Sequence, residues 1–305
     1  VTANHRPLPL GSEPFLGRWW IPPWRARQIA NRLAGTSGHT LETFEAIQRD
    51  VRSRAALEVI DALTTLSTPG ELTVQAMTVL MKWDGQLSQR GPGVLYEMFI
   101  ARFFDEVLLD ELGERGLKDY RVLLEFYEGR IPVIVRLLDS PDAPWWDDVR
   151  SAGSEGPSEI VERIWEQVWQ EATGQFGPDP DSWEWGELHQ LVLRHPMARF
   201  WPITSLLNRG PIGLPGDNDT IFNTGSSYND PYGITVSSSW RHIVDLSEPV
   251  SARSILPVGN AAHPLSPHYA DLFEEWAEGR TRFSATTWEE ALVEAVRTMR
   301  LRPPQ

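Results

Sequence analysis

The strongest constraint on this chain is the place where its hydrophobic period changes. From Pro22 to about Pro202 apolar residues return at three and four positions, whereas after Asn208 that period disappears and Gly, Asn, Asp, Ser and Thr rise. The order predicts a helical body followed by a portion rich in turns and short strands. Thr40 reads as an N-cap for a helix carrying Leu41, Phe44, Ile47 and Val51 on one face. A second helix follows Pro69-Gly70 with Leu72, Ala76, Val79, Leu80 and Trp83, and stops at Asp84-Gly85. A third follows Gly91-Pro92-Gly93 through Leu95, Met98, Phe99, Phe103 and Val107. Residues 121–138 and 158–172 complete the helical set, and the loops SPDAPWWDD and SAGSEGP read as connections inside one compact body.

In the later portion, Ile234, Val236, Trp240, Val244 and Leu246 fall on alternate positions and predict a strand. Shorter strands are expected at 220–223 and 254–257, and Val1 to Asn4 reads as the end of another. Such strands are too few for an independent sheet, so their partners are expected outside this chain. Two terminal helices are expected at 269–278 and 287–299. The expected fold class is α+β, mainly helical with a minor C-terminal β portion, divided as 1–21, 22–207 and 208–305.

Composition excludes several functions. With 305 residues and 41% hydrophobic content the chain can bury a large core. Its net charge is -14 and its bases are scattered, which argues against nucleic acid and against anionic membrane surfaces. The absence of cysteine removes disulfides, thiolate catalysis and cysteine-type zinc sites. No apolar run approaches the roughly 20 residues of a membrane span. The first residues carry no signal-peptide pattern, so a signal peptide is expected upstream or not at all. The 14 tryptophans either line a groove for sugars or acyl chains or fill gaps between helices, and burial is the default for large aromatic rings.

Common catalytic motifs are missing: there is no GxSxG, P-loop, HExxH or GxGxxG. His263 and His268 are poorly spaced for a metal and read as residues that cap and pack a turn. Asp217-Asn218-Asp219 lacks the bidentate Glu of a calcium loop and reads as a solvated turn. Glu184 and Glu187, beside Trp183 and Trp185, cannot face each other across a scissile bond as a glycosidase pair must, and read as an exposed acidic face with apolar anchors.

Taken in order, TANHRP at 2–7, PPWRARQI at 22–29, KWDG at 82–85, WEWGELH at 183–189, SSSWRHIVDL at 237–246 and GNAAHPLSPHYADLFEEWAEG at 259–279 resemble the C-terminal part of the penicillin amidase family of N-terminal-nucleophile hydrolases. The resemblance implies a fragment of that family's layered αββα fold and the hydrolysis of N-acyl amides: β-lactam, acyl-homoserine lactone or other N-acyl compounds. It implies an autoproteolytically processed precursor in which an N-terminal serine attacks and its own α-amine serves as base, an amine whose ordinary pKa of about 7.7–8.0 suits neutral pH. It assigns Asn4 as an oxyanion donor and Arg25 as the cation that orients Asn4 and the nucleophile's terminus.

The nucleophile block, Ser-Asn followed by an aromatic, is not found, and position 1 is Val, so the nucleophile is expected upstream and this polypeptide alone is expected to be inactive. Its expected partners are the upstream part of the same precursor, comprising the α chain and the N-terminal part of the β chain, and a small N-acyl substrate. No cofactor is expected here. The family's structural calcium is expected in the full-length enzyme, although Trp19 stands where relatives carry an acidic ligand, and Asn260-Ala261-Ala262 departs from a Gly-Gln-Ser-Gly type loop. A periplasmic or secreted location follows from the same resemblance. The competing readings are a Trp-rich carbohydrate-binding module and a non-catalytic scaffold.

Overall fold

Trp165 and Phe99 stack at 4.5 Å between ring centroids, and both are almost wholly buried. In the computed structural model, which describes residues 1–9, 11–127, 129–198, 200–247, 249–295 and 298–299, that contact joins the two longest helical segments. In chain order the helices are α1 (Trp24–Ala34), α2 (Leu41–Gln48), α3 (Arg54–Leu63), α4 (Glu71–Leu80), α5 (Gly93–Tyr127), α6 (Arg130–Leu138), α7 (Pro157–Phe176), α8 (Trp185–Leu188), α9 (Ile203–Leu207), α10 (Phe273–Ala277) and α11 (Trp288–Glu294). The strands are β1 (Gln190–Leu193), β2 (Arg209–Gly213), β3 (Thr224–Ser226), β4 (Ile234–Ser237), β5 (Arg241–Asp245), β6 (Ser251–Ile255) and β7 (Arg282–Ser284).

The chain forms two units. The larger comprises Val1–Gly35 and Asp50–Ser237, the smaller Thr36–Arg49 and Ser238–Gln305. The larger unit is built on α5, whose Leu95, Met98, Phe99, Phe103 and Phe104 are buried against α7 and its neighbours. Each such side chain contributes about 1.5–3 kcal/mol on leaving water. Gly113 (φ 64) breaks α5 into two helices. The sheet of this unit runs β2-β1-β4-β3, with β1 and β4 parallel and the outer pairs antiparallel. In the smaller unit α2 packs on an antiparallel sheet, β5-β6-β7. There Arg253 pairs with Glu42, and Glu45 accepts from the Thr281 amide and hydroxyl at 2.6 Å.

Several sequence expectations hold. Thr40 caps α2 through a reciprocal pair with Thr43. Trp146, Trp165, Trp183, Trp185 and Trp276 are among the most buried side chains, so these indoles are packing residues. The mixed, mainly helical α+β class is as expected.

Others require correction. Val1–Asn4 is not a strand, because Asn4 adopts φ 61 and turns the chain. The strand expected over 234–246 is two strands, and β5 buries the odd positions Arg241 and Ile243 while Val236, Trp240, Val244 and Leu246 are exposed. Apolar alternation therefore marked the outer face. The strand expected at 254–257 is β6, which begins three residues earlier and ends at Ile255, whereas 220–223 carries no strand and β3 follows it. They find their partners inside the chain, β3 on β4 and β6 between β5 and β7, while β1, which joins the first sheet, arises within a stretch that reads as helical. The helix expected over 121–138 is interrupted between Tyr127 and Arg130, around Gly129. The last helix is seen as Trp288–Glu294, and part of 295–299 lies outside the described residues.

Two polar residues, one half-buried and one buried, tie elements of the larger unit together. Gly70 precedes α4 and offers no capping side chain, but the Glu162 carboxylate of α7 accepts from the Leu72 and Thr73 amides at 2.8 Å and the Thr73 hydroxyl at 2.6 Å. A Cβ at residue 70 would overlap that carboxyl. Burial raises the Glu162 pKa, but the Thr73 and Leu72 donors outweigh it and hold the group below its ordinary value. Its stabilisation is thus present above about pH 4.5 and lost as pH falls through the depressed folded value. Glu162→Gln should cost about 1–2 kcal/mol at pH 7 and flatten stability against pH in the acid range, both readable by urea denaturation.

His189, at the α8–β1 junction, is 1% exposed, stacks on Trp185 at 4.5 Å and donates Nδ1–H to the Tyr232 carbonyl at 2.6 Å. Burial lowers its pKa to about 4, against the opposing pull of the Tyr232 carbonyl. The unfolded imidazole protonates near 6.5, so the neutral ring stabilises fully above that pH and the contribution is lost as pH falls from about 6.5 to about 4. That loss should amount to about 3 kcal/mol. His189→Gln should remove most of this slope in denaturation series taken between pH 7 and 4.

Candidate functional site

Asn4 and Arg25 meet. Pro22 and Pro23 set the start of α1, whose first bond runs from the Arg27 amide to the Pro23 carbonyl at 2.8 Å, and Arg25 projects from its first turn. Its Nη2 donates to Asn4 Oδ1 at 2.9 Å and reaches the Ala3 carbonyl at 3.5 Å. A guanidinium can only donate, so the carboxamide must turn its oxygen toward Arg25. The planar amide then carries its two Nδ2–H donors on the opposite side. No acceptor is bonded to them among the described residues.

The backbone at Asn4 is fixed as firmly as its side chain. Asn4 is the non-glycine residue with positive φ among the described residues, a conformation Asn tolerates better than most. Its carbonyl accepts from the Ile21 amide at 3.1 Å, which closes the excursion between them. The Ala3 amide donates to His5 Nδ1 at 3.4 Å, and Ala3 itself is buried. Asn4 is exposed. The site is thus an accessible carboxamide on a hydrogen-bonded turn, next to the buried Ala3 and beside the Arg25 guanidinium. It offers two hydrogen-bond donors to an anionic oxygen.

Other candidates lie elsewhere in chemistry as well as sequence. Trp183 and Trp185 are buried while Glu187 is exposed and Glu184 faces Arg90 at 3.6 Å, as an acidic face on aromatic anchors should. His263 Nδ1 accepts from the Leu265 amide at 3.2 Å, and His268 Nδ1 meets Asp271 at 3.1 Å. Both histidines organise turns. Asp217, expected in a solvated turn, is instead buried, with its carboxylate accepting from the Asp219 amide at 2.8 Å. Burial raises its pKa. Trp19 is 71% exposed.

Sequence reading missed the residues that hold α1 in place. Trp24 Nε1 donates to Glu58 of α3 at 2.6 Å, and Gln28, buried one turn after Arg25, bonds Asp50 and Arg54. Single polar residues inside a helix carry no periodic signal. The one available cue was Ser53 before Ala55, Ala56, Val59 and Ile60, where its hydroxyl caps α3.

Comparison with known proteins places this geometry in a family. The model described as penicillin amidase matches residues 1–292. The acyl-homoserine lactone acylase QuiP of Pseudomonas syringae pathovar tomato is 29% identical over 298 residues, covering 92% of this chain and 36% of that protein. The penicillin acylase 2 proenzyme of a Pseudomonas species is 24% identical over 308 residues, covering 99% of this chain and 38% of that protein. A thermostable penicillin G acylase from Alcaligenes faecalis shares the fold, with TM-score 0.58 and 14% identity, over 100% of this chain and 57% of the solved one. The chain thus spans little more than a third of the curated relatives it matches. With the match running almost from end to end, this chain belongs to the penicillin amidase family.

Proposed function

We propose that this chain supplies the oxyanion-stabilising side of an amidohydrolase site, with the attacking serine on polypeptide outside it. The observation that carries the reading is the 2.9 Å bond from Arg25 to Asn4 Oδ1, which leaves the Asn4 Nδ2 donors to a ligand. When a serine hydroxyl adds to an amide carbonyl, the C=O π pair moves onto oxygen, and a donor already in place stabilises that charge without reorganising. Collapse expels the amine, which takes up the proton the serine hydroxyl gave up on attack, and water then hydrolyses the acyl ester, returning a proton to the serine oxygen. Arg25 serves as a positioning residue: it sets the amide's orientation, and its charge adds to the field around the developing anion.

The substrate class is an N-acyl amide. The relatives' names, acyl-homoserine lactone acylase and penicillin acylase, share an acyl group on the nitrogen attached to a small ring, and that common bond is what the proposal assigns. The two are distinguished by assay, with octanoyl-homoserine lactone and penicillin G as probes.

The test uses the intact polypeptide that joins this chain to the family's remaining part. Asn4→Ala should lower kcat by about 10²–10³ with KM little changed, since the donor acts mainly on the transition state. An unaltered kcat overturns the proposal.

A further inference from the structure

We infer that Gln28 and Asp50 form a buried positioning unit that sets the roll of α1 and hence the place of the Arg25–Asn4 pair; this rests on the amidohydrolase reading. Residues 25, 28 and 32 are spaced by three and four, so they share one face of α1. Arg25 reaches Asn4 from that face. Gln28 Nε2 donates to both Asp50 oxygens at 3.3 and 3.1 Å, and Gln28 Oε1 accepts from Arg54 Nε at 2.9 Å. Arg32 Nε lies 3.3 Å from Asp50 Oδ2.

Asp50 is held from its own side as well. Its Oδ1 accepts from the Arg52 amide and its carbonyl from the Phe222 amide, both at 2.9 Å. Gln28 is 5% exposed and Asp50 8%, positions where a carboxamide and a carboxylate carry a desolvation penalty that an aliphatic side chain would avoid. What the polar pair supplies is direction. An apolar contact tolerates rotation of a helix about its axis, whereas three bonds on Gln28 do not. The Trp24–Glu58 bond fixes the start of α1 at one point, and the Gln28–Asp50 contact, one turn on, fixes its rotation about that point. Because each residue of a helix turns by about 100° and rises 1.5 Å, a small roll at Gln28 carries the guanidinium away from Asn4 Oδ1.

The test compares three variants in the intact polypeptide, with octanoyl-homoserine lactone and penicillin G as probes. Gln28→Leu keeps the volume and removes the bonds. It should lower kcat about tenfold or more with KM within about twofold. Gln28→Glu sets two carboxylates against each other and should lower kcat at least as far. The exchange Gln28→Glu with Asp50→Asn restores a donor and an acceptor, keeps the Arg54 bond, and should bring kcat back to within about threefold of the parent, a rescue that general destabilisation would not produce. Unchanged kcat and KM in Gln28→Leu, or no recovery in an exchanged protein that melts normally, overturns the inference. Asn4→Ala measured alongside separates the failures. A crippled Asn4→Ala with an unaffected Gln28→Leu sinks the positioning unit alone, whereas an unaffected Asn4→Ala sinks the amidohydrolase reading itself.

Discussion

The larger unit depends on the aromatic seam between α5 and α7. Phe99 lies against Trp165, Phe103 meets Trp146 edge-on at 5.9 Å, and none of these rings keeps appreciable contact with water. Dispersion and desolvation there are non-directional, so they secure the proximity of helices without fixing their rotation. The fine geometry is left to polar contacts: the Glu162 carboxylate over the start of α4, the His189 ring bonded to the Tyr232 carbonyl, and Gln28 of α1 bonded to Asp50. Stability and precision are thus divided between two kinds of force.

This division explains what could be read from the residues. Thr40, the Pro69-Gly70 break and the stripe Leu95, Met98, Phe99, Phe103 announce their elements because capping and burial impose residue types at fixed spacings. Asn4 and Arg25 were legible only through the resemblance; nothing in their local pattern distinguishes a donor from a turn residue. β1 was hidden because four residues are too few to establish a period of two inside a stretch flanked by helices. The outward face of β5 misled for another reason. Burial there follows a guanidinium lying over the Trp276 ring at 4.8 Å, and hydropathy does not treat an arginine as a core residue. Gln28 acts through partners 22 and 26 positions away, and a one-dimensional pattern holds no trace of such pairs.

The acidic character of the chain fits this picture. With a net charge of -14, the chain as a whole repels anions, so a cation beside Asn4 stands against the overall sign. Arg25 meets Asn4 directly, whereas Arg32 of the same helix is paired with Asp50 and Arg54 donates to Gln28.

The bond from the Ile21 amide to the Asn4 carbonyl brings the two ends of the intervening excursion together. Because the entropy of closing a loop rises only with the logarithm of its length, residues could be added or removed between those ends at little thermodynamic cost, and the carboxamide would stay where it is. The stretch between Asn4 and Ile21 is therefore a place where length can vary while the Arg25–Asn4 contact stays put.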